Sequence, residues 1–490
     1  MPEGAVMTGA GAMVDVTAPV PALPFPREQR SEYGLPAVTA GAAAAEVVPD
    51  GDGGVSPHRN PIVAPAGEDM RTTEQAMKHA ICVVGAAATA VESAANAVRA
   101  AAALIDAVGT DPAIAAVRRL APSDHGADPR RQFRRVAIIH YWLVTMRGGE
   151  RVLERLLALF PEADIFTHVY DPSAVSDTIR ARTVTTSFIQ RLPGARKHYQ
   201  SYLPLMPMAL EHLDLRGYDL VISSESGPAK GVIAGPDALH LCYVHSPMRY
   251  LWDHYHDYRD ATGPINKLLM PVLCHGLRKW DTSSSARVDR FLANSRFIQG
   301  RIAKAWRRPA DVVHPPVDGT LFTPTADVSR EYLWVGQLVP YKRADLAIDA
   351  FNRLGMPLTV VGDGPMAAQL RKLAGPTVRI IPRMSFDQLR AAYARCRALV
   401  FTAEEDFGIV PVEVMASGRP VVALGRGGAL DSVVPGRTGV FFAEQTVDAL
   451  VEAVEAMEAW LPAFDPQESV KRARAFAPEV FDRGILAGLA

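Results

Sequence analysis

Short runs of apolar, β-branched residues alternate along most of the chain with stretches whose apolar positions recur every three or four residues, the pattern of strands threaded between helices. The first regular run is R-R-V-A-I-I-H at 134–140, followed by a loop, Y-W-L-V-T-M-R-G-G-E, and an amphipathic helix, R-V-L-E-R-L-L-A-L-F, that ends at Pro161. Further strands are predicted at A-D-I-F-T-H-V, at 219–224, at 238–245 and at 290–295. A second series begins with Y-L-W-V-G at 332–336 and runs through P-L-T-V-V-G-D-G-P, T-V-R-I-I-P, A-L-V-F-T-A and P-V-V-A-L, with helices at 343–354 and 386–394 between them. Such alternation builds parallel sheets with right-handed crossovers. The chain is therefore predicted to be α/β, with two doubly wound, Rossmann-like domains facing across a cleft, the usual place for a ligand. The connector falls at D-V-V-H-P-P-V-D, 311–318, where two prolines stiffen the backbone. The predicted domains are 129–316 and 317–475, with a C-terminal helix in 476–490 crossing back to the first lobe.

Residues 1–128 break this rhythm. Ala, Gly, Pro and Val dominate, and 1–70 reads as a disordered, low-complexity tail. From 72 to 120, Ala-rich segments carrying Glu74, Lys78, Glu92 and Arg99 suggest one or two small helices, which serve interaction or membrane contact or form a dispensable extension, the last being the favoured reading. The longest apolar run, 80–91, is twelve residues, well short of the roughly 20 that span a bilayer.

Composition narrows the function. With 490 residues, 48% hydrophobic and 21% charged, there is enough chain for two or three domains. A net charge of -1 argues against nucleic acid as the main partner. Cys82, Cys242, Cys274 and Cys396 lack C-x-x-C spacing and read as reduced, packed thiols. The first 30 residues lack a basic start followed by an apolar core, so a cytoplasmic location is expected.

The chemistry gathers at 398–442. A buried strand at 398–401 leads into a loop with Glu404, Glu405 and Asp406, then a short helix predicted to open at Pro411 and close at Gly418, a strand at 420–424 and a Gly-rich turn. Taken alone, Glu413 in a first helical turn merely complements the helix dipole, and Glu405 is a solvated loop residue. An acidic cluster beside an apolar strand nevertheless costs solvation free energy unless it finds donors. Ligands of open α/β sheets bind at strand ends.

Four ordered motifs change the weighting: W-V-G-Q-L-V-P-Y-K-R, V-V-G-D-G-P, E-D-F-G-I-V-P-V-E-V-M-A-S-G-R-P-V-V and G-G-A-L-D-S-V-V-P-G-R-T-G-V. Together they resemble glycosyltransferase family 4, retaining sugar transferases of the two-lobed GT-B fold, over about 134–490. The resemblance implies that 317–475 is the nucleotide-sugar donor domain and 129–316 the acceptor domain. It implies that Glu405 contacts hydroxyls of the transferred sugar and Glu413 those of the ribose. Carboxylates accept bidentate bonds from vicinal hydroxyls, which fits those roles. Phe407, Gly408, Ile409 and Val410 would set backbone N–H groups near the diphosphate at a helix start, a site that suits anions. Lys342 takes the place of the lysine that neutralises the leaving diphosphate. Where relatives commonly carry Arg, this chain has the uncharged Gln337, with Arg343 as the candidate to compensate.

In the first lobe, Gly148 and Gly149 resemble the family's glycine loop, and His245 in Y-V-H-S-P-M-R-Y matches its histidine facing the donor sugar. Lys342, Glu405 and His245 are the implied catalytic residues. The loop at Gly148 and Gly149 lacks G-x-G-x-x-G, which argues against a nicotinamide enzyme. The D-H-Y-H-D-Y run at 253–258 lacks distant partners for a metal site. No metal and no other cofactor is expected; a nucleoside-diphosphate sugar is the donor substrate.

The first-lobe phrases H-Y-W-L-V-T-M-R-G-G-E and Y-V-H-S-P-M-R-Y-L-W-D look most like mannosyltransferases of O-antigen or exopolysaccharide clusters. They imply transfer of a hexose, mannose from GDP-mannose, to a glycan or a polyprenyl-diphosphate-linked acceptor in polysaccharide biosynthesis. A UDP-sugar donor on the same scaffold, or a non-catalytic nucleotide-sugar-binding subunit, are the alternatives. Arg191, Arg196, Lys197 and His198 precede a Tyr, Leu, Met and Pro stretch within 188–210. This segment reads either as packing on the first lobe or as a basic, apolar patch in peripheral contact with the inner face of the membrane.

Overall fold

The computed structural model describes residues 128–260 and 263–490. The expectations for the N-terminal tail and helices, the apolar run at 80–91 and Cys82 lie outside the described residues. The first sheet contains β1 (Val136–His140), β2 (Asp164–Thr167), β3 (Val184–Thr186), β4 (Leu220–Glu225), β5 (Leu239–Val244), β6 (Arg290–Ala293) and β7 (Asp311–Val312). Its order is β3-β2-β1-β4-β5-β6-β7, and every pairing is parallel. The second sheet contains β8 (Tyr332–Val335), β9 (Leu358–Val361), β10 (Val378–Ile381), β11 (Leu399–Phe401), β12 (Val421–Leu424) and β13 (Gly439–Phe442), in the order β10-β9-β8-β11-β12-β13. Both orders reverse direction once, between β1 and β4 and between β8 and β11. A crevice opens at the carboxyl ends of the strands at each reversal.

The helices that position the site are α1 (Gly148–Leu159), α2 (Pro264–Ser285), α3 (Arg296–Trp306), α4 (Ala344–Leu354), α5 (Ile409–Ala416) and α6 (Pro478–Ala487). Val152, Leu153, Leu156 and Leu157 of α1 lie buried with Ile138 of β1 and Ile222 of β4. The second lobe is cored by Leu346, Ala347, Ala350 and Phe351 of α4 against Tyr332, Val360 and Val400. Near-continuous apolar strands follow from burial on both faces.

The two lobes are tied twice. The 313–318 connector leads from β7 towards β8, and α6 packs with the first lobe, where Phe481, Ile485 and Leu489 join the core of Ile138 and Leu220. The Phe481 ring lies edge-on to Tyr243 at 5.5 Å, and Arg155 of α1 pairs with Asp482. No helix among the described residues is long and apolar enough to cross a membrane. Cys242, Cys274 and Cys396 are buried free thiols.

Three boundaries differ from the sequence reading. Residues 311–312, read as connector, form β7 because their backbone completes the edge of the first sheet beside β6. Gly148 and Gly149 begin α1 and are not a loop before it. The short helix of the acidic stretch opens at Ile409, two residues before Pro411, because Gly408 makes the turn at φ 80 that a side-chain residue resists. Glu413 therefore sits in the middle of α5, and its carboxylate is not placed to complement the dipole of the first turn. A Cβ at Gly408 would also lie 2.8 Å from Phe401 Cζ. Gly408→Ala is expected to lower stability by roughly 1–3 kcal/mol, read as a fall in denaturation midpoint.

Burial also sets a pH response. His168 and His240 are fully buried in the first lobe, and desolvation pulls the pKa of each to about 4 from an ordinary 6.5. Their neutral rings bond to Ser187 Oγ at 3.1 Å and Ser223 Oγ at 2.7 Å. The unfolded chain takes up these protons at higher pH than the folded one, so stability is complete above about 6.5 and is lost as pH falls towards 4. Each ring contributes on the order of 2–3 kcal/mol across that window. Melting temperature should drop steeply between pH 6.5 and 4.5, and the drop should be shallower in His240→Gln.

Candidate active site

The acidic loop leaves β11 at the reversal point of the second sheet and faces the loop that leaves β8. After β8, the chain passes Gly336 and the exposed Gln337, makes a 3-10 turn over Pro340–Lys342, and enters α4 through Arg343 in the left-handed conformation, φ 54. Thr402, just past β11, donates to the carbonyl oxygens of Lys342 and Arg343 at 2.8 and 3.0 Å and accepts from Trp334 Nε1 at 3.0 Å. That arrangement fixes the lysine's backbone. A Cβ at residue 336 would lie 3.2 Å from Lys342 Cδ, so Gly336 makes room for the lysine's stem.

Lys342 Nζ then meets Glu405 Oε1 at 2.7 Å, both side chains about one-fifth exposed at 19% and 21%. Burial disfavours the ammonium, but the Glu405 carboxylate outweighs it and holds the Lys342 pKa above its ordinary value. The loop itself rests on the Gly-rich turn: Gly428 N donates to Glu405 O at 2.8 Å, and a Cβ at 428 would stand 2.2 Å from Phe407 Cα.

Glu413 is nearly fully buried at 6%. Tyr393 Oη donates to its Oε2 at 3.0 Å, and Arg151 Nη1, from α1 of the first lobe, reaches Oε1 at 3.2 Å. Desolvation raises the Glu413 pKa against the pull of Arg151 and Tyr393. Beside it, Phe407 is buried against His314 and Phe476, at 5.4 and 5.5 Å between ring centroids, while Gly408 caps α5 and Ile409 and Val410 open it. Gly148, the first residue of α1, faces this helix start: a Cβ there would lie 3.1 Å from Ile409 Cδ1. The amino ends of α1 and α5 thus approach one another from opposite lobes, and each carries unpaired N–H groups and a partial positive charge.

In the first lobe, His245 follows β5, with Nε2 2.9 Å from Ser224 Oγ. The same hydroxyl lies 3.0 Å from Nδ1 of His140, the last residue of β1. His140 Nε2 stands 3.8 Å from the buried Glu150 Oε1, an electrostatic contact too long for a hydrogen bond. Burial, reinforced by His140, depresses the His245 pKa to about 3, so its imidazole is neutral at physiological pH.

The structure thus brings Lys342 together with Glu405, and Glu413, Ile409 and Gly148 together across the lobes. Gln337 lies exposed on the loop after β8. Arg343, the candidate to compensate for Gln337, enters α4 with its Nε on Asp345 Oδ2 at 3.1 Å. Gly149 sits against Tyr141, where a Cβ would be 2.5 Å from the phenol oxygen. The 253–258 run leads into an exposed helix, Tyr255–Asp260, and His254, just before it, bonds Asp257 through Nδ1 at 2.9 Å.

Sequence reasoning missed several cleft residues. His140, Ser224 and Glu150 form the polar chain behind His245. Polar residues ending apolar parallel strands were the available signal for the first two. Asp406 is held by Arg249 and by Arg301 Nη1 at 3.0 Å, and the Arg249 guanidinium lies 6.0 Å from the Tyr341 ring centroid. Pairing between lobes leaves no trace in local pattern, so Arg151, Arg249 and Arg301 were not legible.

Comparison with known proteins bears on the whole frame. The description "Glycosyltransferase Family 4" matches residues 146–320 and "Glycosyl transferases group 1" matches 329–459. The "GDP-mannose-dependent alpha-mannosyltransferase" of Mycolicibacterium smegmatis is 31% identical over 239 residues, 43% of this chain and 62% of that protein. The "Uncharacterized glycosyltransferase MJ1178" of Methanocaldococcus jannaschii is 26% identical over 181 residues, 36% of this chain and 50% of that protein. The chain thus spans between 50% and 62% of the lengths of these two relatives.

Among solved structures, Anabaena Alr3699/HepE in complex with UDP-glucose superposes with a TM-score of 0.52 at 16% identity, covering 71% of this chain and 98% of that one. The lipopolysaccharide outer core galactosyltransferase WaaB gives 0.51 at 17% identity, covering 72% and 98%. At these identities the likeness establishes the fold. With one family description on each lobe and the two-sheet frame of these structures around both, the chain belongs to the family 4 glycosyltransferases of GT-B fold.

Proposed function

We propose that the protein is a retaining hexosyltransferase that moves mannose from GDP-mannose to a glycan or polyprenyl-diphosphate-linked acceptor in polysaccharide assembly. The observation that carries this reading is the Lys342–Glu405 pair at 2.7 Å, at the strand ends where the second lobe's crevice opens. The GDP-mannose donor is supported by the M. smegmatis relative above and by a second from that organism, a "GDP-mannose-dependent alpha-(1-6)-phosphatidylinositol monomannoside mannosyltransferase". This second relative is 30% identical over 221 residues, covering 38% of this chain and 56% of that protein.

In this reading the diphosphate lies between the facing amino ends of α1 and α5, with Lys342 beside it. As the bond from the anomeric carbon to the phosphate oxygen breaks, charge collects on the leaving oxygens, and preorganised N–H dipoles and the ammonium stabilise it. The acceptor hydroxyl adds to the same face of the sugar, and its proton passes to the departing phosphate oxygen. Configuration is thereby kept. Glu405 orients the sugar hydroxyls. His245, neutral and tied through Nε2 to Ser224, offers its other nitrogen to a hydroxyl and is not the base. Glu413 receives the ribose hydroxyls once Arg151 has moved off its carboxylate. Nicotinamide chemistry and a metal-bridged diphosphate have no part in this reading.

Incubation of the purified protein with GDP-mannose or UDP-glucose, followed by proton NMR, tests it. Slow release of α-mannose, faster when a glycan acceptor is supplied, is expected with GDP-mannose. Preference for UDP-glucose would replace the donor, and nucleotide binding with no turnover of either sugar would make the chain a binding subunit.

A further inference from the structure

The first half of α2 is apolar on both sides. Its inward face, with Met270, Cys274 and Leu277, packs against Met248, Leu251 and Tyr255. Its outward face carries Leu268, Leu269, Val272 and Leu273, exposed by 77%, 51%, 74% and 43%. Spacings of one, four and five residues put these four on one side of the helix. Single exposed leucines are ordinary, but a contiguous patch marks a surface that something covers.

The charges around the patch say what would cover it. Residues 263–280 contain no Asp or Glu; within them Lys279 and His275 are exposed, and Lys267 and Arg278 are half-buried. Lys267 is paired with Asp260 of the preceding helix at 2.9 Å, and that helix also presents Asp257 and Arg259. Arg278 lies over the Tyr255 ring at 4.5 Å. A second copy docked about a two-fold axis would set this basic rim against itself. Anionic headgroups complement it, and an apolar face rimmed by Lys and Arg is the signature of a helix lying in a bilayer interface.

We infer that the Leu268–Leu273 face of α2 inserts into the interface of an anionic lipid bilayer, so that the enzyme works at a membrane surface. The inward face of the same helix packs on the segment that carries Arg249, which reaches Asp406 beside Glu405. Lipid contact at α2 therefore bears, through one layer of side chains, on the rim of the proposed sugar site. The 188–210 segment, the other candidate for membrane contact, presents Arg191, Arg196 and Lys197 to solvent but buries Ile189, Ala195, Met206 and Ala209, leaving Leu205 and Met208 as its exposed large apolar side chains. The inference rests on the transferase reading for its purpose, since a lipid-linked acceptor explains why the active site needs a membrane, but not for its test.

Full-length protein is sedimented with phosphatidylcholine vesicles with and without phosphatidylglycerol, alongside the double variant Leu268→Asn/Val272→Asn. The expected result is binding to the phosphatidylglycerol vesicles that weakens with salt and falls at least tenfold in the variant. The GDP-induced shift in melting temperature should be unchanged in the variant, which shows that it is folded. Wild type remaining in the supernatant at low salt, or variant and wild type sedimenting alike, overturns the inference. So does a wild-type dimer that the substitutions make monomeric without any vesicle binding, which assigns the face to self-association. Vesicle binding without sugar turnover would sink the transferase reading alone, and turnover without vesicle binding would sink the surface alone.

Discussion

Glu405→Ala is expected to lower kcat/KM for sugar transfer by about 10³-fold, roughly 4 kcal/mol of transition-state binding. Two losses combine. The carboxylate that would grip the sugar is gone, and Lys342, paired with it at 2.7 Å, loses the partner that fixes its position beside the leaving group. Misplacing a positioned group by an ångström is itself worth about 10²-fold. The pair is only about one-fifth exposed, so leaving the ammonium single also costs some stability. A fall of no more than about 3 °C in melting temperature is expected, corresponding to about 1 kcal/mol. Glu405→Gln, which keeps hydrogen-bonding capacity but not charge, should fall between wild type and alanine. Wild-type activity in Glu405→Ala would remove the residue from the site.

Lys342→Met should lower kcat by roughly 10²- to 10³-fold, the scale of deleting one preorganised electrostatic contact to a developing oxyanion. The expectation is at the upper end because neither candidate on its own loop replaces it. Gln337 carries no charge, and Arg343 is engaged by Asp345 at 3.1 Å. Lys342→Arg should recover part of the loss by restoring charge without the same reach. Steady-state kinetics separate the outcomes: a change confined to KM would mean that Lys342 serves ground-state binding and not departure of the diphosphate.

The sequence carried the architecture because parallel strands buried on both faces declare themselves as short β-branched runs, and the helices between them keep a clean apolar period. What it hid was marginal or distant. β7 is two residues long, too short for any periodicity, and β3 lies at a sheet edge with a half-polar V-T-T. The start of α5 was misplaced because proline at a first helical turn is a strong local signal, yet Gly408 in the left-handed region ended the preceding loop sooner. Of the site, Glu405 with Lys342 was visible as motif residues. That the two meet directly, and that Glu413 is capped by Arg151 from the other lobe across 262 positions of sequence, depends on tertiary closure that no local pattern encodes. The buried Glu150–His140–Ser224–His245 chain was half visible, in the polar residues at the ends of β1 and β4. Its connectivity was not.

The closed arrangement gives the account a direct handle, because the proposed ribose carboxylate is already occupied by an arginine. A calorimetric titration of the full-length protein with GDP-mannose, beside Glu413→Ala, tests the central claim that the second lobe holds a nucleoside-diphosphate sugar through its glutamates. The account predicts a single micromolar site, weakened at least about tenfold in the variant, equivalent to about 1.4 kcal/mol. Equal affinity in wild type and Glu413→Ala would contradict it.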